Sequence, residues 1–263
     1  MLQDLIGRRA IVTGASSGLG ADFARELARR GAGLVLVARR RERLEQLAAD
    51  LKARHGTESR VCAVDLTDPD FPETLLRKLN YDGWNADILV NNAGFGIYGN
   101  FLDTEWAQIE KMLRLDIEAL VRMTRVFAPP MVQRGWGRVL QVASIAAFQP
   151  SPSYAAYAAA KSFVLSFGEA LAHEWHGTGV TSTVLSPGVT ETEFFEVAGH
   201  KKRSWFQTKT VMDSPAVARV GVEAMLAGRP GVVAGALNKA ATFSQRLMPR
   251  RLQAAVAARV MKT

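Results

Sequence analysis

Short apolar runs alternate with longer stretches of helical periodicity along this chain. Residues 9–13 form a β-like run that ends in the turn Gly14-Ala-Ser-Ser-Gly18-Leu-Gly20, and a helical pattern over 21–30 closes at Gly31. A fully apolar strand over 34–37 follows, with Arg39, Arg40 and Arg41 at its end. The alternation continues with a helix over 42–54, a strand over 60–64, a helix over 73–79 and a strand over 87–90. A long helix over 105–133 comes next, which Pro129-Pro130 is expected to interrupt late. Then come a strand over 138–143, a helix through Tyr157 to about residue 175, a strand over 180–185, a helix over 215–226, a strand over 231–234 and a basic helix. Buried strands between amphipathic helices predict an α/β fold, one doubly wound parallel sheet of about seven strands covered on both faces. No linker, repeat or low-complexity segment divides the chain. Residues 1–236 read as a single domain and 237–263 as a C-terminal helical extension.

Composition narrows the function classes only a little. Hydrophobic residues make up 48% of 263 and mean hydropathy is +0.00, which suits a soluble chain with a sizeable core. No apolar run reaches the length of a bilayer span, and the N-terminal MLQDLIGRRAIV lacks the order of a signal peptide. The sole cysteine, Cys62, lies in an apolar run and is expected to be a buried thiol. With four scattered histidines it forms no ordinary zinc site, so no metal is expected, and a cytoplasmic location is the simplest reading. The net charge of +8 fits nucleic acid, an anionic membrane, or a phosphate-bearing ligand combined with a basic tail. No recognition helix or base-stacking motif supports a nucleic-acid partner.

Candidate chemistry collects at one edge. In sheets of this kind ligands bind outside the carboxyl ends of the strands. The glycine-rich turn (Gly14, Ser16, Ser17, Gly18, Leu19, Gly20) follows the first strand, where a tight backbone can approach a pyrophosphate at a helix N-terminus. Arg39 and Arg40 follow the second strand, Asp65 and Leu66 the third, Asn91 to Gly94 the fourth, Ser144 the fifth, and Pro187-Gly188 the sixth. Tyr157 and Lys161 stand four residues apart in an alanine-rich helix, hence on one helical face. An ammonium beside a phenol is expected to lower its pKa, and the Ser144 hydroxyl could bond the carbonyl oxygen that receives the proton.

Together, Thr-Gly-x-x-x-Gly-x-Gly, Asn-Asn-Ala-Gly, Ser, Tyr-x-x-x-Lys and Pro-Gly resemble the short-chain dehydrogenase/reductase family over about residues 5–235. The resemblance implies a nicotinamide-dependent oxidoreductase that interconverts a ketone and a secondary alcohol. By it Tyr157 is the acid/base, Ser144 orients the substrate oxygen, and Lys161 holds the nicotinamide ribose and tunes Tyr157. Asn91 would stabilise the sheet and border the cofactor, Asp65 would bond the adenine with Leu66 beside it, and Asn92, Ala93 and Gly94 would line the groove. Pro187, Gly188, Thr190 and Thr192 would contact the nicotinamide. In place of the carboxylate that selects NAD, the chain has Arg39 and Arg40, which predicts NADP(H), with Arg39 leading, Arg40 assisting, and Arg41 and Arg43 solvated. One position departs from the family: Asp116 stands where an asparagine is usual, and it is either a partner of Lys161 or only a polar helix residue.

The pocket is expected to involve Phe95, Ala146, Phe148, Tyr154, Phe194 and Phe195, which favours a hydrophobic or aromatic ketone or a 3-oxoacyl thioester. The segment after Thr192 reads either as a mobile lid or as a packed loop. Apolar residues interspersed with Lys239, Arg246, Arg250, Arg251, Arg259 and Lys262 make the extension amphipathic, for peripheral membrane contact or, more simply, for docking on its own or a partner subunit. The resemblance also implies a homodimer or homotetramer. A second functional reading, a cofactor-binding regulatory or scaffold protein without turnover, is favoured by Asp116 and opposed by the intact Ser144, Tyr157 and Lys161.

Overall fold

The computed structural model describes residues 4–190, 193–194, 198–199 and 211–261. Its strands are β1 (Arg9–Thr13), β2 (Gly33–Ala38), β3 (Ser59–Ala63), β4 (Ile88–Asn91), β5 (Gly137–Val142), β6 (Val180–Ser186) and β7 (Gly231–Val233). All seven pair in parallel, in the order β3-β2-β1-β4-β5-β6-β7. Successive strands run outward from β1 in one direction and from β4 in the other, so a crevice opens at the carboxyl ends between them.

Side chains alternate between two cores with the period of a strand. Val12, Leu34, Leu36, Val90 and Leu140 pack beneath α1 (Gly18–Arg29), α2 (Arg41–His55) and a helix at Ser214–Leu226. Ile11, Val35, Val37, Leu89 and Val139 face α3 (Phe71–Tyr81) and the long helix that carries Met123 and Phe127. Each such side chain, fully buried, contributes about 1.5–3 kcal/mol, so the sheet is pinned from both sides. The edge strands β3 and β7 are the exceptions. All five residues of β3 are half-buried, and Cys62 is therefore half-buried rather than buried as expected. Partial burial still pushes its thiol pKa up.

The long helix is continuous but changes its hydrogen-bond register where the sequence did not suggest. It comprises α4 (Trp106–Leu113), a π-helical segment (Arg114–Ala119) and α5 (Leu120–Gln133). α5 continues through Pro129 and Pro130. Proline's fixed φ is compatible with a helix; what the pair gives up is two N–H donors near its end. The π segment admits an extra residue per turn, and it carries Asp116 into full burial. α6 (Ala155–Glu174) follows β5, and the helix at Ser214–Leu226 is α7. Two further helices, α8 (Ala236–Gln245) and α9 (Arg250–Met261), follow β7. Among the described residues no helix is long and apolar enough to cross a membrane.

Candidate active site

The glycine turn is shaped by contact as well as by conformation. Gly14 and Gly18 have φ of 69° and 50°, which a side chain disfavours. A Cβ on Gly20 would lie 2.2 Å from the Gly14 carbonyl oxygen, so only glycine lets α1 start this close to the turn. The turn is tied to the end of β4: Asn92 Nδ2 donates to the Thr13 carbonyl at 3.0 Å, and the Asn92 and Ala93 amides both donate to Thr13 Oγ1 at 3.0 Å. No acidic residue occupies the first turn of α1, leaving its N–H groups and positive dipole end available to an anion.

A cleft of about 890 Å³ runs from this turn across the crevice. It is lined by Gly14, Ser16, Ser17, Gly18, Leu19, Gly20, Arg39, Arg40, Asp65, Leu66, Asn92, Ala93, Gly94, Ser144, Tyr157, Lys161, Pro187, Gly188 and Thr190. The residues singled out at the strand ends thus share one wall-to-wall groove. Thr192 lies outside the described residues. Asn91 is turned away from the cleft. Buried under α5, it donates to Thr124 Oγ1 at 2.9 Å and Gln141 Oε1 at 3.0 Å, so it knits the sheet to the helix while its neighbour Asn92 reaches the groove.

At the β2 end the two arginines differ. Arg40 donates to Ser16 Oγ at 3.2 Å, to Ser17 Oγ at 2.6 Å and to Glu193 at 3.1 Å. Arg39, 63% exposed, lies 4.0 Å from Asp65, whose carboxylate also accepts from the Thr67 amide and hydroxyl. Arg40, expected only to assist, is therefore the one anchored to the turn. Arg43, expected to be solvated, binds Glu193 at 2.7 Å, whereas Arg41 makes only an i,i+4 pair with Glu45 at 3.5 Å. Arg43 and Arg40 together hold the Glu193 carboxyl below its usual range. Exposed pairs of this kind are worth about 0.2–1 kcal/mol each, so a stronger anion can displace them.

At the β5 end Ser144 precedes a 3₁₀ turn (Ile145–Phe148), and its Oγ accepts from the Ala146 amide at 3.1 Å. Tyr157 and Lys161 project from the first turns of α6 and are both buried. Lys161 Nζ lies 3.0 Å from Asp116 Oδ2 and donates to the Val142 carbonyl at 3.2 Å. Asp116 Oδ1 accepts from the Phe95 amide at 3.0 Å. Asp116 is thus a partner of Lys161 rather than a stray helix residue. Burial pushes its carboxyl above the usual range, against the pull of Lys161 and the Phe95 amide.

The Tyr157 phenol is also held above its ordinary range, first by burial and then by the Asp116 carboxylate, while a hydrogen bond with Ser144 works the other way. The sequence pointed to a lowered value. The direction is reversed because the ring is enclosed, and because the Asp116 carboxylate beside Lys161 itself disfavours the phenolate.

The enclosure is aromatic. Tyr157 lies 5.9 Å from Tyr154 and 5.3 Å from Phe194, and Tyr98 lies 5.3 Å from Tyr154, ring centroid to ring centroid. Phe95, Ala146, Tyr154 and Phe194 line the cleft, and Phe195 lies outside the described residues. Phe148 does not line it. In the 3₁₀ turn residues three apart eclipse one another, so Ala146 and Gln149 face the cleft and Phe148 points elsewhere. Gln108, Lys111 and Leu115 also reach the cleft without having been singled out, and so does Glu193. Their 3-4 spacing on one helix face is a signal, but nothing in the sequence says that this face turns towards the strand ends.

The model of a family described as short chain dehydrogenase matches residues 8–203. A short chain dehydrogenase of Pseudocercospora fijiensis is 36% identical over 194 residues, which cover 72% of this chain and only 62% of that relative. A very-long-chain 3-oxoacyl-CoA reductase of Bos taurus is 31% identical over 231 residues, covering 86% of this chain and 72% of the relative. Among solved structures, a short-chain dehydrogenase of Sphingobium yanoikuyae in complex with NADPH superposes with a TM-score of 0.80 at 31% identity, over 91% of this chain and 94% of that one. This chain belongs to the short-chain dehydrogenase family, and with it to the oxidoreductases.

Proposed function

We propose that the protein is an NADPH-dependent ketoreductase acting on a hydrophobic ketone or a 3-oxoacyl thioester. The observation that carries this is the Ser144–Tyr157 hydrogen bond at the closed, aromatic end of a groove whose other end is a glycine turn flanked by Arg39 and Arg40. The groove fits a dinucleotide phosphate. Its close-packed glycines would admit a pyrophosphate to the N-terminus of α1, and Ser16, Ser17, Arg39 and Arg40 would hold a ribose 2′-phosphate. When bound, the reduced nicotinamide supplies the hydride. Ser144 orients the substrate carbonyl, and Tyr157 donates the proton that its oxygen requires. Lys161, held by Asp116, positions the ribose and the charge beneath the phenol.

Three further features support the reading. The NADPH complex of the Sphingobium enzyme shares this fold, and the bovine relative's name is that of a 3-oxoacyl-CoA reductase. Phe95, Tyr154 and Phe194 give the pocket apolar walls. A homodimer or homotetramer belongs to the same proposal, with exposed Phe163, stacked on Phe167 at 5.7 Å, as an apolar patch on α6.

Fluorescence titration with NADPH and NADH in parallel tests the cofactor assignment. NADPH is expected to bind much more tightly. Arg40→Ala and Arg39→Ala are each expected to weaken NADPH about 10- to 100-fold, the worth of a charge-assisted hydrogen bond, and to leave NADH unchanged. Equal affinities in the wild-type protein would mean that the arginines serve the surface alone.

A further inference from the structure

α8 is built inside out, and α9 buries Gln253 beside the small Ala257 while its larger apolar side chains face outward. The side chains that α8 turns towards the body are polar: Asn238 is 2% exposed and Thr242 6%. Asn238 Nδ2 donates to the Ala234 carbonyl at 2.8 Å, and Thr242 Oγ1 donates to the Asn238 carbonyl at 2.9 Å. Gln245 donates to Gln149 Oε1 at 2.7 Å. In α9 the buried Gln253 donates to the Gln245 and Met248 carbonyls at 2.7 and 2.8 Å. The large apolar side chains lie on the outside instead: Leu237 is 67% exposed, Phe243 61%, Leu247 78% and Leu252 51%. Phe243 near the end of α8 and Leu247 in the turn that follows it form one exposed apolar pair, and Leu252 and Val256, one turn apart on α9, form another. Ordinary amphipathic packing is the reverse of this.

The charge is equally one-sided. Lys239, Arg246, Arg250, Arg251 and Arg259 are all exposed around these apolar residues. No aspartate or glutamate occurs anywhere in residues 224–263, and six of the chain's eight net positive charges lie in residues 236–263. The rest of the protein is close to neutral, so most of the basic excess belongs to this end of the chain.

We propose that α8 and α9 form a docking surface for an anionic lipid bilayer. A bilayer supplies both things that the surface lacks: negative headgroups for the five exposed cations, and an acyl boundary for Phe243, Leu247 and Leu252. A second copy of the chain is the weaker occupant. In a two-fold interface the same patch meets itself, and here that sets arginine against arginine with no carboxylate between them. Each basic residue near an anionic membrane is worth about fivefold in affinity.

Flotation of the full chain with vesicles of pure phosphatidylcholine and of phosphatidylcholine mixed with phosphatidylserine tests this. The protein is expected to float with the mixed vesicles only and to be released by high salt. The double variant Arg250→Glu/Arg251→Glu is expected to lose at least about 25-fold in vesicle affinity. Phe243→Ser/Leu247→Ser is expected to lose flotation too, with dinucleotide binding and thermal midpoint retained in both variants. A protein that stays at the bottom of the gradient with mixed vesicles overturns the proposal, and so does equal flotation with both vesicle types. A dimer that Phe243→Ser/Leu247→Ser dissociates, in the absence of vesicle binding, would assign the surface to a second copy.

Discussion

Tyr157→Phe is expected to reduce NADPH-dependent ketone turnover by about 10²- to 10⁴-fold, the usual worth of a positioned general acid. The substitution removes one oxygen and little else. The ring keeps its contacts with Tyr154 at 5.9 Å and Phe194 at 5.3 Å, so the fold and the groove should persist. NADPH affinity, measured by the same fluorescence titration, should therefore stay near the wild-type value while kcat collapses. That split matters. A fall in affinity equal to the fall in turnover would describe a damaged groove, and unchanged turnover would remove Tyr157 from the reaction. The regulatory or scaffold reading predicts no turnover to lose.

Replacing Asp116 has two separable consequences. Asp116→Ala leaves the Lys161 ammonium, with a side chain only 5% exposed, facing the space of a deleted carboxylate. Breaking a buried pair from one side costs about 3–5 kcal/mol, which urea denaturation would read as a large fall in midpoint. Asp116→Asn keeps the shape and an oxygen for the Phe95 amide but removes the charge. Reduction of a ketone needs Tyr157 protonated, so the alkaline limb of its kcat profile is set by the phenol. In the wild-type protein burial and Asp116 hold that phenol pKa high, so the proposed reduction is expected to persist into alkaline solution. Asp116→Asn removes the repelling charge and frees Lys161 to favour the phenolate, so the limb should move to lower pH. Alcohol oxidation, which needs the phenolate, should gain at a given pH. Identical profiles for the two proteins would show that Asp116 does not act on Tyr157.

Much of this was legible because the signal was local. A buried parallel strand reads as a short apolar run, and the residue that follows it stands at the ligand edge whatever the packing of the helices, which is why Ser16, Asn92, Ser144 and Pro187 could be placed on one groove. What depended on packing was not legible. The π segment leaves no composition signature, since its residues Arg114 to Ala119 look like any amphipathic helix, while Pro129-Pro130 gave a breaker signal that the end of α5 absorbs. Arg39 precedes Arg40 in the chain, but which guanidinium turns towards Ser16 and Ser17 depends on where α2 starts, and it starts at Arg41 with Arg40 as its cap. The direction of the Tyr157 shift depends first on how deeply the ring is buried and then on the carboxylate of Asp116, and neither can be read from the spacing of Tyr157 and Lys161. The C-terminal helices left two alternatives open for the same reason: the presence of an apolar stripe says nothing about which side faces the protein.

Loss of NADPH absorbance, followed with the purified chain against a panel of hydrophobic ketones and 3-oxoacyl thioesters, reads the proposed carbonyl reduction itself. Substrate-dependent oxidation of NADPH by the wild-type protein is expected with at least one member of the panel, with conversion of that ketone to its secondary alcohol. Tight NADPH binding without oxidation across the whole panel would contradict it and leave the chain a cofactor-binding protein.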